Sequence, residues 1–354
     1  MSNEFDKDTI HLASSNSLPL YRSINTLAVL SRYASMKGID NALLLSGSGI
    51  EINDLDDPDA IITTEQELLV IKNLLKLDRD PSLGLIIGNQ IHLGIHGKLG
   101  MAALSSNTLL DAIEIFFQFS DLLLTYFHYD LTVKDHLVFM KITELIDLTG
   151  IRRFICEREF VSTYRLASDL FGTSFSLIEA RIAYPRPKYF SCYKDIFHCP
   201  IVFNASDHMF VFDSSYLFRQ LPMANPLTRK LYIKECQQIS LRLKKQMTMT
   251  DRIRQEILFH GDRFHTIDHL ARYMNTSSRT IRRNLALEGT SYRGLLSDIR
   301  KNKAINMLRT TNLSIEQIAA ELGYTDLSNF YRAFKSWTGH TPSSYRSKTI
   351  KQVS

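Results

Sequence analysis

The sequence has few cysteines and no paired cysteine motif. Only four occur among 354 residues, and no two of them form a Cys-x-x-Cys pair. Zinc ribbons and disulfide frameworks need cysteines paired at short spacing, so Cys156, Cys192, Cys199 and Cys236 are expected to be reduced thiols. The neighbouring His198 and Cys199 would point to opposite sides of an extended segment. We therefore expect no metal site.

A long hydrophobic run is also absent. The most apolar stretch, residues 113–127, contains Gln118, Ser120 and Asp121. It is shorter than the roughly 18 apolar residues that a membrane-spanning helix needs, and it predicts a buried amphipathic helix instead. The first 17 residues lack the apolar core of a secretory signal. These features predict a cytoplasmic protein without a membrane partner.

Catalytic constellations are missing from the front of the chain. Residues 47–49 (Gly-Ser-Gly) lack the strand-loop-helix context of a phosphate-binding loop, and no Gly-x-Ser-x-Gly elbow occurs. Cys156 and the histidines are too dispersed to predict a nucleophile. We assign no catalytic residue and no cofactor, so an enzyme is disfavoured.

Positive charge is concentrated at the end of the chain. Residues 251–354 hold 17 Lys and Arg against 9 Asp and Glu, whereas the first 250 residues carry a net charge of −3. This asymmetry is typical of a chain in which one module meets phosphate groups. The length and the 44% hydrophobic content allow two or more globular domains.

The same pattern of apolar residues occurs twice in the last hundred residues. The first copy begins at Ile267 and the second begins 48 positions later, at Ile315. Each has apolar residues at i, i+3, i+4 and i+7, which lie on one face of a helix. The full set is Ile267, Leu270, Ala271 and Met274, then Ile315, Ile318, Ala319 and Leu322. Each copy leads through a short break into a second helix, so the pattern predicts two helix-turn-helix motifs.

The second helix of the first motif has an apolar face and a cationic face. Ile281 and Leu285 are four residues apart and face inward. Arg279, Arg282 and Arg283 fall largely on the opposite side. Arginine makes bidentate contacts with guanine and also binds phosphate. The pattern therefore predicts a recognition helix for the DNA major groove.

The second helix of the second motif repeats this arrangement. Phe330 and Phe334 have the inward i, i+4 spacing. The spacing leaves several polar side chains in solvent, among them Ser328, Asn329, Arg332 and Lys335. Asn and Arg suit base edges, whereas Lys335 suits a phosphate.

Capping signals and a connecting helix complete the motifs. Residues 291–309 predict one helix, roughly 28 Å long at 1.5 Å per residue. That length is close to the roughly 34 Å between successive major-groove faces on one side of B-DNA. The predicted helix caps are Thr266, Ser277, Ser314 with Gln317, Gly323, Asp326 and Gly339.

These residues resemble the signature of the bacterial AraC/XylS transcription regulators. Residues 321–346 contain, in order, the Gly-Tyr, Ser-Asn-Phe, Arg-x-Phe-Lys and Gly-x-Thr-Pro-x-x-Tyr-Arg elements. The resemblance covers residues 264–346 and implies an all-α DNA-binding domain in which a long helix joins two helix-turn-helix motifs. It also implies that the base-reading positions of the family fall on Arg279, Arg282, Arg283, Ser328, Asn329 and Arg332.

The front half mixes helical and strand-like patterns without strict alternation, which predicts an α+β domain. It resembles the arabinose-binding-type amino-terminal domain of ornithine-utilisation-type members of the family, in residues 80–113 and 180–226. One departure is His198-Cys199 before Pro200, where that module is expected to have a glycine first. The resemblance implies an effector-sensing or dimerising role, but it does not make arabinose the ligand.

We therefore expect five segments along the chain. They are a flexible tail (1–17), an α+β effector-sensing and dimerisation domain (18–225), a helical linker (226–250), the double helix-turn-helix domain (251–346) and a tail (347–354).

The expected function is an effector-responsive transcriptional activator. Its expected partners are promoter double-stranded DNA, RNA polymerase, an unknown small-molecule effector and a second copy of the chain. The alternative is an effector-independent repressor or architectural DNA-binding protein whose front domain only dimerises. An enzyme with an appended DNA-binding tail is less favoured than either.

Overall fold

The computed structural model describes residues 10–14, 20–57, 60–146, 148–173, 175–260, 266–311, 313–324 and 326–346. The chain divides into two compact units, Met1–Lys245 (unit 1) and Gln246–Ser354 (unit 2). Unit 1 is α+β and unit 2 is helical, which confirms the predicted fold class. In the described part of the chain, no helix is long and apolar enough to cross a membrane.

Unit 1 contains a six-stranded sheet in the order β1-β4-β5-β8-β6-β7 and a separate antiparallel pair, β2-β3. In the larger sheet only β6 and β7 run parallel. Strands β4 and β5 form a hairpin whose turn residues Asp135 and His136 both have positive φ. The strands are β1 His11–Ala13, β2 Tyr21–Ser23, β3 Ile61–Thr63, β4 Phe127–Lys134, β5 Leu137–Glu144, β6 Glu179–Ile182, β7 Ile201–Phe203 and β8 His208–Asp213.

The helices of unit 1 are α1 Asn25–Met36, α2 Asn41–Leu44, α3 Thr64–Leu77, α4 Leu83–Gly88, α5 Gly97–Leu104, α6 Leu109–Gln118, α7 Arg152–Phe171, α8 Ser191–Phe197, α9 Ser215–Phe218 and α10 Pro226–Gln246. Helices α1 to α9 share one large apolar core with the sheet, whereas α10 packs in a smaller apolar cluster with α5 and α6. Short 3₁₀ turns occur at Ile52–Asp56, Leu93–His96 and Ser120–Leu122.

Helix α7 is the central element of unit 1, because residues 154–162 are all buried. It ends at Gly172, which has a φ of 64°. Helix α4 packs closely against it through glycine. A Cβ on Gly84 would lie 2.6 Å from the Phe154 carbonyl oxygen and 2.7 Å from Glu157 Cβ. Only glycine allows the two backbones to approach this closely.

Unit 2 has two apolar cores and six helices in its described residues. The first core lies under α11, α12 and α13, and the second lies under α15 and α16. The helices are α11 Met249–His260, α12 Ile267–Tyr273, α13 Ser278–Leu287, α14 Tyr292–Thr310, α15 Ile315–Glu321 and α16 Leu327–Thr338.

Several details of the sequence interpretation are corrected. The predicted tail contains strand β1, which pairs with β4, so it is wrong for residues 11–13; its other parts and the tail 347–354 lie largely or wholly outside the described residues. The helix expected across residues 113–127 ends at Gln118, because a 3₁₀ turn and strand β4 follow. The helical linker expected at 226–250 contains a break, because α10 ends at Gln246 and Thr248 and Asp251 cap a new start at α11.

Candidate nucleic-acid interface

The first helix-turn-helix motif is α12, a tight turn and α13. The Thr266 side chain accepts a hydrogen bond from the His269 N–H, and Ser277 accepts one from the Thr280 N–H, as the capping pattern predicted. Asn275 has a φ of 51°, the left-handed conformation that asparagine tolerates well. It reverses the chain between the helices.

Helix α13 has the predicted two faces. Ile281 and Leu285 are fully buried in the first core of unit 2. Arg279, Arg282 and Arg283 are all exposed. Burial of the isoleucine and leucine fixes the rotation of the helix about its axis, so the three guanidinium groups are held together on the solvent side.

The second motif is α15, a turn and α16. Ser314 and Gln317 form the predicted capping box, and Gly323 has a φ of 73° directly after α15. The Asp326 side chain accepts a hydrogen bond from the Ser328 N–H at 2.7 Å, which caps α16. Gly339 ends α16 in the left-handed conformation.

Helix α16 presents a polar row above a buried aromatic face. Phe330 and Phe334 are fully buried. Ser328, Asn329, Arg332 and Lys335 are exposed. Arg332 Nη2 donates to Asn329 Oδ1 at 2.7 Å, so these two side chains are oriented as a pair. No sequence rule identified this pairing, although the i, i+3 spacing permits it.

Helix α14 connects the two motifs and packs into the core of each. Leu295 and Ile299 in its first half are buried in the first core, and Ala304 and Leu308 in its second half are buried in the second. It is one continuous helix of 19 residues that begins after the Ser291 cap, as predicted. Trp337 Nε1 also donates to Ser297 Oγ at 2.7 Å, which joins the end of α16 to α14.

Glu288, which directly follows α13, caps the start of helix α11 with its carboxylate. The Glu288 side chain accepts hydrogen bonds from the Met249 N–H at 2.9 Å and the Thr250 N–H at 2.7 Å. Burial raises the pKa of Glu288, but these hydrogen bonds outweigh it and the pKa is lowered. The ionised carboxylate stabilises the first turn of α11 and attaches it to the recognition helix.

Unit 1 encloses a second type of site, a mostly apolar cavity of about 120 Å³. It lies among α1, the Leu93–His96 turn, α6, α7 and the sheet. Arg158 lines this cavity and belongs to a buried charged cluster with Arg22 and Glu67. Arg22 Nη1 and Arg158 Nη1 donate to the carboxylate of Glu67 at 2.9 and 3.1 Å. Burial raises the pKa of Glu67, but the two guanidinium groups outweigh it and lower that pKa below its ordinary value.

Sequence reasoning missed a buried group of possible metal ligands in unit 1, Glu144, Cys156 and His208. The Ala183 N–H donates to His208 Nδ1 at 3.1 Å, so the ring proton is on Nε2. That nitrogen faces Glu144 Oε1 at 3.8 Å, and Arg152 also pairs with this oxygen. Burial raises the pKa of the Cys156 thiol. The three side chains contact one another and Arg152, and a metal ion would have to displace the Nε2 proton and the thiol proton to bind here.

Two helix-turn-helix motifs in one helical unit define a DNA-binding protein, and comparison with known proteins identifies its family. Residues 38–221 match the model of the arabinose-binding domain of AraC transcription regulators, and residues 270–348 match a helix-turn-helix domain. The chain therefore belongs to the AraC family of transcriptional regulators. It binds DNA to regulate transcription and is not an enzyme.

Two relatives and one solved structure are similar over most of the chain. The ornithine utilization regulator of Pseudomonas aeruginosa is 30% identical, over 87% of this chain and 91% of the relative. A helix-turn-helix transcriptional regulator of Mycobacterium bovis is 29% identical, over 90% and 94%. The crystal structure of the regulator CdpR from P. aeruginosa covers 91% of this chain and 98% of its own, with 23% identity and a TM-score of 0.48.

Proposed function

We propose that the chain reads two successive major grooves of a promoter through α13 and α16. The base-reading residues are Arg279, Arg282 and Arg283 in the first motif, and Ser328, Asn329 and Arg332 in the second. Lys335 binds a phosphate. The observation that carries the proposal is helix α14, which supplies side chains to both cores and so makes the two motifs one body.

The electrostatics of these helices support the assignment. In the described part of unit 2, none of the five cationic side chains forms an ion pair with a carboxylate, and all five are exposed. Exposed guanidinium groups gain most when they meet phosphate or guanine, because no protein carboxylate has to be displaced first.

Binding-site selection from random DNA tests the proposal. The wild-type chain is expected to select two short elements separated by about 10 base pairs, the repeat of B-DNA. Arg282→Ala is expected to remove base preference in one element and leave the other unchanged, because each helix reads its own groove. Arg32→Ala is the matched control, since it removes the same charge from an exposed position in unit 1. Unchanged selection by Arg282→Ala would show that α13 does not read bases there.

We also propose that unit 1 is an effector domain and that the protein is an effector-responsive activator that contacts RNA polymerase in the bacterial cytoplasm. The enclosed cavity supports the effector role, because binding sites for small molecules are concave and mostly apolar. Transcription from the selected promoter, measured with purified polymerase and fractionated cell metabolites, tests it. Equal transcription with every fraction would favour the effector-independent alternative.

A homodimer is proposed from the exposed face of α10. Leu227, Leu231 and Leu241 are 82%, 57% and 59% exposed and lie within about 80° of one another around the helix. An apolar stripe of this kind is typical of a helix that packs against another. Light scattering is expected to give twice the chain mass, and Leu231→Glu is expected to give the monomer mass. A monomeric wild type at micromolar concentration would contradict the dimer.

A further inference from the structure

Three residues that line the cavity of unit 1 each have a buried polar atom that makes no hydrogen bond within the described residues. The atoms are Thr26 Oγ1, His96 Nδ1 and Arg158 Nη2. Thr26 and Arg158 are 4% and 2% exposed. A buried polar atom without a partner costs about 1–3 kcal/mol, and more if it is charged, so each such atom needs an explanation. Three around one cavity point to a ligand.

The other polar groups at the cavity wall already have partners. Thr125 and the Tyr129 hydroxyl donate to the Glu159 carboxyl, and the Ser162 hydroxyl donates to the Glu159 carbonyl oxygen. Most of the remaining wall is aliphatic or aromatic, and includes Phe116 and Phe175. The cavity therefore offers an apolar body and a small number of free polar contacts.

The charge at the wall favours an anion. Arg22 and Arg158 share the single carboxylate of Glu67, and Arg158 also lies over the Tyr126 ring at 5.4 Å. Glu159 is the next carboxyl near Arg158, and burial raises its pKa, which favours the uncharged form. Burial lowers the pKa of His96 to about 4, so this ring is neutral at pH 7 and can donate a hydrogen bond. A ligand carboxylate beside Arg158 would supply a second negative charge.

The volume limits the size of the ligand. A dry protein cavity of about 150 Å³ accommodates benzene. A cavity of about 120 Å³ is smaller, so it suits an apolar body of roughly six non-hydrogen atoms or fewer. Long acyl chains and nucleotides are too large.

We propose that the effector is a small monocarboxylic acid with a branched or cyclic apolar body, whose carboxylate binds Arg158 and whose body fills the apolar part of the cavity. Thr26 and His96 complete the polar end. This assignment rests on the effector role proposed above. A diamino acid does not fit, because its ammonium groups would lie beside Arg158 or against apolar walls.

Calorimetry on the full chain with matched probes tests the assignment. The probes are 4-methylpentanoate, its amide, the corresponding amine, decanoate and ornithine. We expect 4-methylpentanoate to bind about 10- to 100-fold more tightly than the amide, because a charge-assisted hydrogen bond replaces a neutral one. The amine, decanoate and ornithine are expected to give no heat of binding. Equal affinity for acid and amide would overturn the assignment, and so would binding by no probe.

Variants separate the carboxylate contact from the cavity itself. Arg158→Gln is expected to abolish the preference for acid over amide, and Arg165→Gln on the same helix is the control, because Arg165 pairs with Asn89 outside this cavity. Since Arg158→Gln disturbs a buried ion pair, Thr26→Val and Ala167→Leu serve as second variants. Thr26→Val is expected to weaken acid binding several-fold, and Ala167→Leu to block both probes by filling the cavity. Retained acid preference in Arg158→Gln would overturn the assignment.

The effector role itself is measured separately, by DNA affinity with and without each probe. Acid that binds in the cavity without changing DNA affinity or transcription would leave the ligand assignment standing and refute the effector role. Regulation by the amide or the amine that is lost in Ala167→Leu would support the effector role and refute the carboxylate assignment.

Discussion

Replacement of Arg332 by alanine separates base reading from phosphate binding on α16. Arg332 is exposed and donates to Asn329 Oδ1 at 2.7 Å. Its guanidinium group is therefore partly oriented before DNA arrives, and the Asn329 amide is oriented with it. Lys335 lies one turn further along the same helix and has a flexible ammonium group, which suits a phosphate.

The expected loss for Arg332→Ala is about 1–3 kcal/mol, a factor of roughly 5 to 150 in Kd, confined to the preferred base pair. Asn329→Ala is expected to be non-additive with it by about 1 kcal/mol, because each change also removes the hydrogen bond between the two side chains. Lys335→Ala is expected to weaken binding to all sequences alike and to reduce the slope of log Kd against log salt by about 1.

Fluorescence anisotropy distinguishes these outcomes. Binding is measured on the selected site and on single-base variants, at salt concentrations from about 50 to about 300 mM. A uniform loss across all sequences for Arg332→Ala, with a reduced salt slope, would show that Arg332 binds phosphate. Strict additivity with Asn329→Ala would show that the 2.7 Å hydrogen bond plays no part in binding.

Three further outcomes are expected. Phe330→Ala should lower the free energy of unfolding of unit 2 by about 3–5 kcal/mol, because a fully buried ring is lost. The only tryptophan of the chain lies in unit 2, so its fluorescence during urea unfolding reports the stability of this unit. A loss below about 1 kcal/mol would contradict the packing of Phe330. Burial raises the pKa of Glu157 from 4.5 to about 7, so the folded state binds this proton more tightly than the unfolded state. The free energy of unfolding should therefore fall by about 3 kcal/mol as pH rises between these values. Glu157→Gln should remove this pH dependence in unfolding curves at pH 5 and pH 8, and identical pH profiles for variant and wild type would refute it. Gly84→Ala should lower the melting temperature by several degrees because its Cβ meets backbone of α7, whereas Gly94→Ala, with no atom within 4 Å, should not; equal effects would contradict the close approach of α4 and α7.

The helical unit could be predicted closely from the sequence because its signals are local. Capping side chains such as Thr266 and Asp326 act on N–H groups two or three residues away, and each was confirmed. The break before α11 had the same kind of signal, a Thr248 and Asp251 pair, which the sequence interpretation overlooked. The roles of the exposed residues stay predictions, because exposure on a helix face does not by itself identify a DNA contact.

The interior of unit 1 could not be predicted to the same depth. Strands β2 and β3 have only three residues each, too few to show an alternating pattern. The cavity residue Arg158 belongs to a cluster with Arg22 and Glu67, which are far apart in sequence and are charged residues of types that usually lie at the surface. Helix α7 shows no amphipathic pattern because it is buried on several sides, so its sequence hides the charged cluster. His198 has a φ of 50°, which explains why a glycine was expected there.

The length of the shared helix α14 sets the distance between the two motifs, and this length can change only in whole residues. One residue inserted at its centre would advance the second half by about 1.5 Å and turn it by about 100°. The second motif would then face a different direction from the first, and neither core could compensate without unpacking. Promoters served by this regulator should therefore differ in the bases they present and keep one fixed distance between the two elements.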